Sequence, residues 1–320
     1  MKLIFKYLIA SFATIVFSCN NETEKASSTT SKITTATLTL TPKKFLFDAT
    51  KAETAGNADW VIDEDSSNPQ RIPTPAQANI TATTVENYWT GALSSWGIAL
   101  AKLGHTVQTL PVGTAITYGG TGAQDLKNYD VFVVDEPNTR FTAAEKTAIL
   151  NFVKNGGGLF MISDHTMSDR NNDGWDSPAI WNDLMSSNSV QTNPFGITIT
   201  LDNFSETTSN RLSATTNPIL NGSQGTVSQL KYSNGASMSV STTANPTVQG
   251  LIWRSTATQG TSNIMCASAT FGTGRVFAIG DSSPADDGTG ASGNTLYPGW
   301  TELASHARLH LNASLWLAKL

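Results

Sequence analysis

Residues 131–135 read Val131-Phe132-Val133-Val134-Asp135, an unbroken apolar run that ends in an acid. The run Leu159-Phe160-Met161-Ile162-Ser163-Asp164 has the same character, and such runs are typical of strands covered on both faces of a sheet. Between them, Thr142-Ala143-Ala144-Glu145 is a capping-box pattern that predicts the start of a helix, and the glycines at 156–158 predict its end. Strand, helix and strand in this order predict a right-handed crossover between parallel strands.

The same alternation continues toward both ends of the chain. Three further apolar runs predict strands, at residues 44–48, 106–110 and 275–281. Apolar residues at helical spacing predict a helix over residues 85–103, which Gly104 ends, and a last helix over residues 302–317.

Residues 195–270 differ in composition, because they are richer in Thr, Ser and Asn. Strand-like pieces at 197–201 and 251–254 predict antiparallel strands that belong to the same domain. The sequence therefore predicts a single α/β domain over residues 44–320. Its sheet is expected to be doubly wound, mostly parallel and flavodoxin-like, with additional antiparallel strands.

The amino-terminal segment predicts export. Lys2 and Lys6 precede a short apolar run, and Val16-Phe17-Ser18-Cys19 resembles the lipobox of bacterial lipoproteins. Residues 1–18 are therefore interpreted as a signal peptide, and Cys19 as the lipid-bearing residue that holds the protein at the bacterial cell envelope. The alternative is an ordinary secretory signal. Residues 19–43, rich in Ser and Thr, are predicted to form a flexible tether.

Composition limits the possible functions. The 320 residues include 25 acidic and 20 basic side chains, a formal net charge of -5, and 39% of the residues are hydrophobic. An extensive nucleic-acid-binding face needs clustered Lys and Arg, so this charge balance argues against one. The apolar content suffices for a core, and two cysteines are too few for a disulfide scaffold.

Several segments together resemble a known superfold. Residues 129–135, the capped helix, residues 156–165, residues 272–281 and the closing helix are similar to the class I glutamine amidotransferase-like superfold, and within it to the ThuA-like branch. This resemblance implies one α/β domain over about residues 44–320. Amidotransferases place a nucleophilic cysteine after the strand that here ends in Ser163-Asp164-His165, and this chain has none there. Glutaminase activity is therefore not expected.

Acids follow the apolar strands. Asp48, Asp135, Asp164 and Asp281 each stand at the predicted carboxyl end of a strand, where doubly wound sheets bind their ligands. We expect them to meet in one crevice, with His165 beside Asp164 as a candidate general base or metal ligand. The predicted catalytic residues are Asp164, His165, Asp281 and Glu53. The predicted substrate-binding residues are Asp48, Asp135, Arg170, Trp175 and Asp287.

One loop has the residue pattern of a calcium site. Asp169, Asn171, Asp173 and Gly174 follow the D-x-N-x-D-G spacing, in which alternating oxygen ligands surround a hard cation. The twelfth position is Ile180 instead of Glu, so the loop is not an EF-hand, but Asp176 could complete the ligand set. The predicted metal ligands are therefore Asp169, Asn171, Asp173 and Asp176, with calcium or a similar divalent ion. The alternative is a polar surface loop.

These features support a leading hypothesis and two alternatives. The first is an exported, lipid-anchored hydrolase with a metal-assisted carboxylate site, acting on a glycan such as a polysaccharide. Acidic loops that also carry tryptophans favour a sugar over a nucleic acid. A secreted metal-dependent phosphodiesterase or nuclease is the nearest enzymatic alternative. The other is a non-enzymatic surface module in which calcium stiffens a binding loop.

Overall fold

The predicted central sheet is present in the structure, a computed structural model that describes residues 41–64, 68–294 and 296–320. In chain order the strands are β1 (Lys44–Asp48), β2 (Thr106–Leu110), β3 (Val131–Asp135), β4 (Gly158–Ile162), β5 (Ile197–Ile199), β6 (Phe204–Thr208), β7 (Asn221–Gly222), β8 (Gly225–Thr226), β9 (Leu230–Gly235), β10 (Met238–Val240), β11 (Gln249–Trp253), β12 (Ile264–Phe271) and β13 (Gly274–Ile279). The helices are α1 (Ser94–Lys102), α2 (Ala143–Lys154), α3 (Ser177–Ser186), α4 (Gly299–Glu302) and α5 (Ala304–Leu317).

The strand order confirms the predicted fold class. The strands β2-β1-β3-β4-β13 lie side by side and pair in parallel. This order corresponds to the flavodoxin-like arrangement of doubly wound sheets. Antiparallel β12, β10 and β5 extend the sheet beyond β13, and β11 pairs with β12. The pairs β6–β9 and β7–β8 form small separate sheets.

Helices cover the sheet on both faces, and alternate residues of each strand serve the two layers. Phe132 and Val134 of β3 pack into one core with the apolar residues of α2 and α3. Val131 and Val133 face the other core, which contains apolar residues of α1 and α5. Since side chains alternate along a strand, an apolar run without polar alternation is what two covered faces require.

The prediction of a helix over residues 85–103 was wrong for the first half of that range. Helix α1 covers only Ser94–Lys102, and Glu86–Tyr88 form one turn of 3-10 helix. A side chain at Gly91 would place its Cβ 2.0 Å from the carbonyl oxygen of Val61. The chain approaches that loop closely, and the backbone nitrogen of Leu93 donates to the same oxygen. Tertiary pairing with this loop therefore replaces the first turns of the expected helix.

Two other helix boundaries differ from the prediction. The closing helix, expected over residues 302–317, divides into α4 and α5, because Leu303 between them has extended backbone angles. Helix α3 was not predicted, although its signals are present in the sequence. Asp176 caps it through a bond from the backbone nitrogen of Ala179, and Pro178 occupies its first turn.

The predicted signal peptide over residues 1–18 and the lipid-bearing Cys19 lie outside the described residues, as does the predicted tether up to residue 40. Across residues 41–64, 68–294 and 296–320, every helix is too short or too polar to cross a membrane.

Candidate functional site

The acids predicted to meet do lie at one edge of the sheet. Asp48 and Asp135 end the parallel strands β1 and β3, while Asp164 and Asp281 stand two residues beyond β4 and β13. All four are buried. Strands β3, β4 and β13 are neighbours in the sheet, and the charge of Asp281 raises the pKa of both Asp135 and Asp164.

A small cleft opens beside Asp164, and we call it the acid cleft. It is lined by Trp60, Asp164, His165, Arg170, Ser233, Asn234, Ser282, Ser283 and Tyr297. Its volume of about 20 Å³ is room for about one water molecule. The acid cleft therefore accommodates a reacting group rather than a whole ligand.

Asp164 is the central acid of the cleft. Its Oδ2 lies 3.6 Å from Nε2 of His165 and 3.7 Å from Nη2 of Arg170. Burial raises the pKa of Asp164 well above its ordinary value, and the charges of Glu136 and Asp281 raise it further, against the opposing effect of Arg170. This shift favours the protonated form of the Asp164 carboxyl group, which can donate its proton.

The orientation of His165 follows from its other ring nitrogen. Nδ1 lies 2.6 Å from the carbonyl oxygen of Thr166 and 3.0 Å from the amide nitrogen of Asn203. The carbonyl oxygen can only accept and the amide nitrogen can only donate, so Nδ1 cannot form a hydrogen bond with both. We assign the tautomer with the proton on Nδ1, because the contact with the Thr166 carbonyl is the shorter one; the Asn203 amide nitrogen is then a van der Waals neighbour. The unprotonated Nε2 then faces Asp164 and is available as a base.

Arg170 is held by an acid that the sequence analysis missed. Its Nε lies 2.6 Å from Oε1 of Glu136, and its Nη1 donates to Oδ1 of Asn57 at 2.9 Å. Glu136 is fully buried and also accepts from Oγ of Ser282 at 2.9 Å. The available signal was the acid doublet of residues 135 and 136 at the end of β3.

Asp281 is buried behind the acid cleft rather than exposed in it. Its carboxylate accepts from the backbone nitrogens of Ser283 at 2.9 Å and Ser233 at 2.5 Å. Burial raises the pKa of Asp281 to about 7 in spite of these bonds. A Cβ on Gly280 would lie 1.9 Å from the carbonyl oxygen of Ala236, so only glycine lets the chain after β9 approach this acid.

Asp48 and Glu53 form a separate buried pair that does not line the acid cleft. Burial raises the pKa of Asp48 to about 6 and that of Glu53 well above its usual range, and the charge of Asp48 adds to the effect on Glu53. Oε2 of Glu53 accepts from the backbone nitrogen of Lys51 at 2.7 Å. Oδ2 of Asp48 and Oε1 of Glu53 are buried without a hydrogen-bond partner among the described residues, which disfavours ionisation of both carboxyl groups together.

The remaining predicted substrate-binding residues have local partners or lie apart. Asp287 accepts from the backbone nitrogen of Ser95 at 2.7 Å and so caps the start of α1. Trp175 stacks on the guanidinium of Arg140, with 3.8 Å between that group and the ring centroid. Asp135 is buried, and both its carboxyl oxygens are without a hydrogen-bond partner among the described residues. Of this predicted set, the structure places only Arg170 in the acid cleft.

The predicted calcium loop is closed by its own hydrogen bonds. Asp169 accepts from the backbone nitrogens of Asp173 at 3.0 Å and Gly174 at 2.8 Å. Asn171 donates to Oδ2 of Asp173 at 3.2 Å, and Asp176 accepts from the backbone nitrogen of Met167 at 2.7 Å. Within the described residues, no three His, Cys, Asp or Glu side chains are arranged to hold a metal ion. Calcium binding stays a prediction.

Comparisons with known proteins concern the fold. No protein-family model and no curated protein matches the sequence. Among solved structures, the chain is similar to the mmIFT52 N-terminal domain, with a TM-score of 0.48 and 14% identity over 86% of this chain and 97% of that one. It is similar to cytoplasmic protein STM3548 from Salmonella typhimurium, with a TM-score of 0.47 and 13% identity over 86% and 98%. It is also similar to a protein described as ThuA-like from Bacteroides uniformis, with a TM-score of 0.43 and 12% identity over 86% of this chain and 91% of that one.

Proposed function

We propose that this protein is a hydrolase that cleaves a neutral, hydroxyl-rich substrate, a glycan, at the acid cleft. The observation that carries the proposal is the pairing of Asp164 with His165. A buried carboxyl with a raised pKa lies 3.6 Å from the unprotonated Nε2 of a histidine, at the carboxyl edge of a doubly wound sheet.

The two residues have complementary roles in hydrolysis. Because the two groups are 3.6 Å apart, they act in succession on one face of the scissile bond. Asp164 first gives its proton to the leaving oxygen, and Nε2 of His165 then takes a proton from the water that adds where the leaving group stood. The cleaved sugar gains the hydroxyl group of the water, and the leaving group gains the proton of Asp164. His165 is left protonated and Asp164 ionised. Transfer of that proton from His165 to Asp164, across 3.6 Å, restores the starting state.

The charge of the cleft favours a neutral substrate. Among the described residues that line it, Arg170 and His165 are the only basic side chains, and Glu136 neutralises Arg170. A phosphodiester would therefore meet a cleft whose arginine is already paired with a carboxylate. A metal-dependent phosphodiesterase would need a cation, for example at the 169–176 loop, to offset the charge of its substrate.

Leaving-group dependence tests the role of Asp164. Methyl glycosides and oligosaccharides need an acid to protonate the leaving oxygen. The leaving group of a 4-nitrophenyl glycoside is 4-nitrophenolate, which departs without protonation because it is a weak base. We expect Asp164→Asn to lower kcat about 10²–10⁴-fold on the first group and far less on the second. Asp130→Asn is the matched control, because Asp130 is a partly exposed acid at the opposite end of β3. Equal losses on both groups would show that Asp164 is not the acid.

A non-enzymatic binding module is the second candidate, and the small volume of the acid cleft favours it. In that case the wild-type protein binds oligosaccharides without cleaving them, and Asp164→Asn leaves their affinity largely intact. Bis(4-nitrophenyl) phosphate, assayed with and without added divalent cations, tests the phosphodiesterase alternative.

We also propose that the protein is exported and anchored through lipid on Cys19. The support is the charged and apolar pattern of residues 1–18 and the small residue before Cys19. An alkyne analogue of palmitate should label the wild-type protein in bacteria, and Cys19→Ser should remove the label. Cys266→Ser is the matched control, because Cys266 is buried. Label that survives Cys19→Ser contradicts the anchor.

A further inference from the structure

A second pocket adjoins the acid cleft and shares Ser233, Ser283 and Tyr297 with it. We call it the outer pocket, and its remaining walls include Lys231, Pro284, Pro298 and Glu302. Its volume of about 90 Å³ exceeds the 20 Å³ of the acid cleft. An enclosed cavity of about 150 Å³ holds a benzene molecule, so this open pocket has the scale of one partly exposed ring.

The chemistry of the outer pocket suits a ring that is neutral and polar at its edges. Pro284 and Pro298 supply apolar surface for a ring face. Nζ of Lys231 pairs with Oε1 of Glu302, and both side chains are about one-third exposed, at 37% and 34%. Since the two charges neutralise each other, the pair presents hydrogen-bond donors and acceptors without attracting a net charge.

The walls of the outer pocket are fixed by contacts that do not depend on a ligand. Oδ2 of Asp286 accepts from the backbone nitrogen of Tyr297 at 2.7 Å, which positions the residue between the two cavities. Nε2 of His306 accepts from the backbone nitrogen of Lys231 at 3.0 Å. A Cβ on Gly299 would lie 1.8 Å from the carbonyl oxygen of Ser283, so the walls meet closely there.

We propose that the outer pocket is a second subsite, which binds the neutral ring next to the unit that reacts at Asp164. The inference rests on the proposed function and narrows its substrate class to glycans of at least two units. The reacting bond enters the acid cleft, Tyr297 stands at the junction, and Lys231 and Glu302 select the neighbouring ring.

Chain length tests this subsite. The probes are methyl glycosides of glucose, galactose, mannose, xylose and N-acetylglucosamine, with their oligosaccharides of two to four units. We expect kcat/KM to rise at least tenfold from one unit to two and then to level off. Glu302→Trp and, from the opposite wall, Lys231→Trp fill the pocket and should bring the two-unit value down to the one-unit value. Thr301→Trp is the matched control, because Thr301 is exposed on α4 outside the pocket.

The outcomes separate the subsite from the proposed function. The subsite is overturned if kcat/KM is equal for one-unit and two-unit probes, or if its rise from one unit to two persists in both Glu302→Trp and Lys231→Trp. Either result is still consistent with the proposed hydrolase. Calorimetric binding of two-unit but not one-unit probes, lost in Glu302→Trp and without any cleavage, overturns the hydrolase and supports the subsite. Absence of both binding and cleavage overturns both.

Discussion

Arg170 and Glu136 form an ion pair that ties the loop after β4 to the end of β3. The atoms Nε and Oε1 are 2.6 Å apart, and the Glu136 side chain is fully buried while that of Arg170 is 19% exposed. The same guanidinium lies 3.7 Å from Asp164. The acid cleft therefore contains a positive charge whose main partner is a structural carboxylate, and this charge also moderates the pKa of Asp164.

Replacement of Arg170 should destabilise the fold, because the buried carboxylate of Glu136 loses its main partner. In Arg170→Met, the Ser282 hydroxyl is the one side-chain partner that this carboxylate keeps among the described residues. We expect a loss of about 3–5 kcal/mol in the free energy of unfolding, measured with urea, because one partner of a buried pair is gone. The double variant Glu136→Gln with Arg170→Met should recover part of the loss.

Arg140→Ala is the matched control for that change. The Arg140 guanidinium is 47% exposed, and its partner Asp183 keeps Lys146 at 2.6 Å. A loss of less than about 1 kcal/mol is expected there. Similar losses in Arg170→Met and Arg140→Ala would show that the Glu136 charge is not held by Arg170.

The sequence predicts the sheet well because its signals are local. An apolar run such as Val131–Asp135 indicates that both faces of the sheet are covered, and the capping box at Thr142 predicts where α2 begins. The site depends on contacts that no local pattern carries. Glu136 acquires its role from Arg170, which is 34 residues away, and the Asp281 carboxylate is fixed by Ser233, which is 48 residues away. These partners become visible only once the loops are folded against each other.

Asp59 should make the folded protein less stable as pH rises. Burial, together with a hydrogen bond and repulsion from Glu64, raises the pKa of Asp59 to about 9. In the unfolded chain Asp ionises near pH 4, so the unfolded state releases this proton at a lower pH than the folded state does. The free energy of unfolding therefore falls between about pH 4 and pH 9.

Asp59→Asn should reduce that pH dependence. Its amide oxygen can accept from the backbone nitrogen of Ala291, as Oδ2 does at 3.1 Å, and the neutral amide does not repel Glu64. At pH 8 we expect a gain of about 1–3 kcal/mol, and almost none at pH 4, measured by urea unfolding. Asp130→Asn should follow the wild-type profile. A variant curve parallel to the wild-type curve contradicts the raised pKa of Asp59.

Calcium, if it binds the 169–176 loop, should stabilise the fold. The oxygens of Asp169 and Asp173 accept backbone hydrogen bonds and retain further lone pairs for a cation. At 10 mM calcium we expect a stabilisation of about 1–3 kcal/mol, as for sites of extracellular affinity. Differential scanning calorimetry in calcium and in EDTA measures it.

The calcium response should depend on the loop acids alone. Asp173→Asn should abolish the difference in Tm between calcium and EDTA, and Asp130→Asn should preserve it. Identical Tm values for the wild-type protein in the two conditions would leave the loop as a polar surface turn.

Met167 has the left-handed backbone conformation that favours glycine, with φ of 69° and a side chain that is 81% exposed. Bonds from the backbone nitrogens of Thr166 to Asp202 and of Met167 to Asp176 hold it there. Such a conformation costs an L-residue about 1–2 kcal/mol, and part of this is offset by the greater freedom of glycine in the unfolded chain. Met167→Gly should therefore raise the free energy of unfolding by about 0.5–1 kcal/mol in urea.

Leu201→Gly is the matched control for Met167→Gly, because Leu201 is 62% exposed but has no positive φ. There glycine adds freedom to the unfolded chain without relieving strain, so the stability should fall. If Met167→Gly lowers stability as much as Leu201→Gly does, the backbone at Met167 is not strained. If it raises stability but lowers kcat/KM, the strain is retained for function, since Met167 lies two residues from His165 at the edge of the acid cleft.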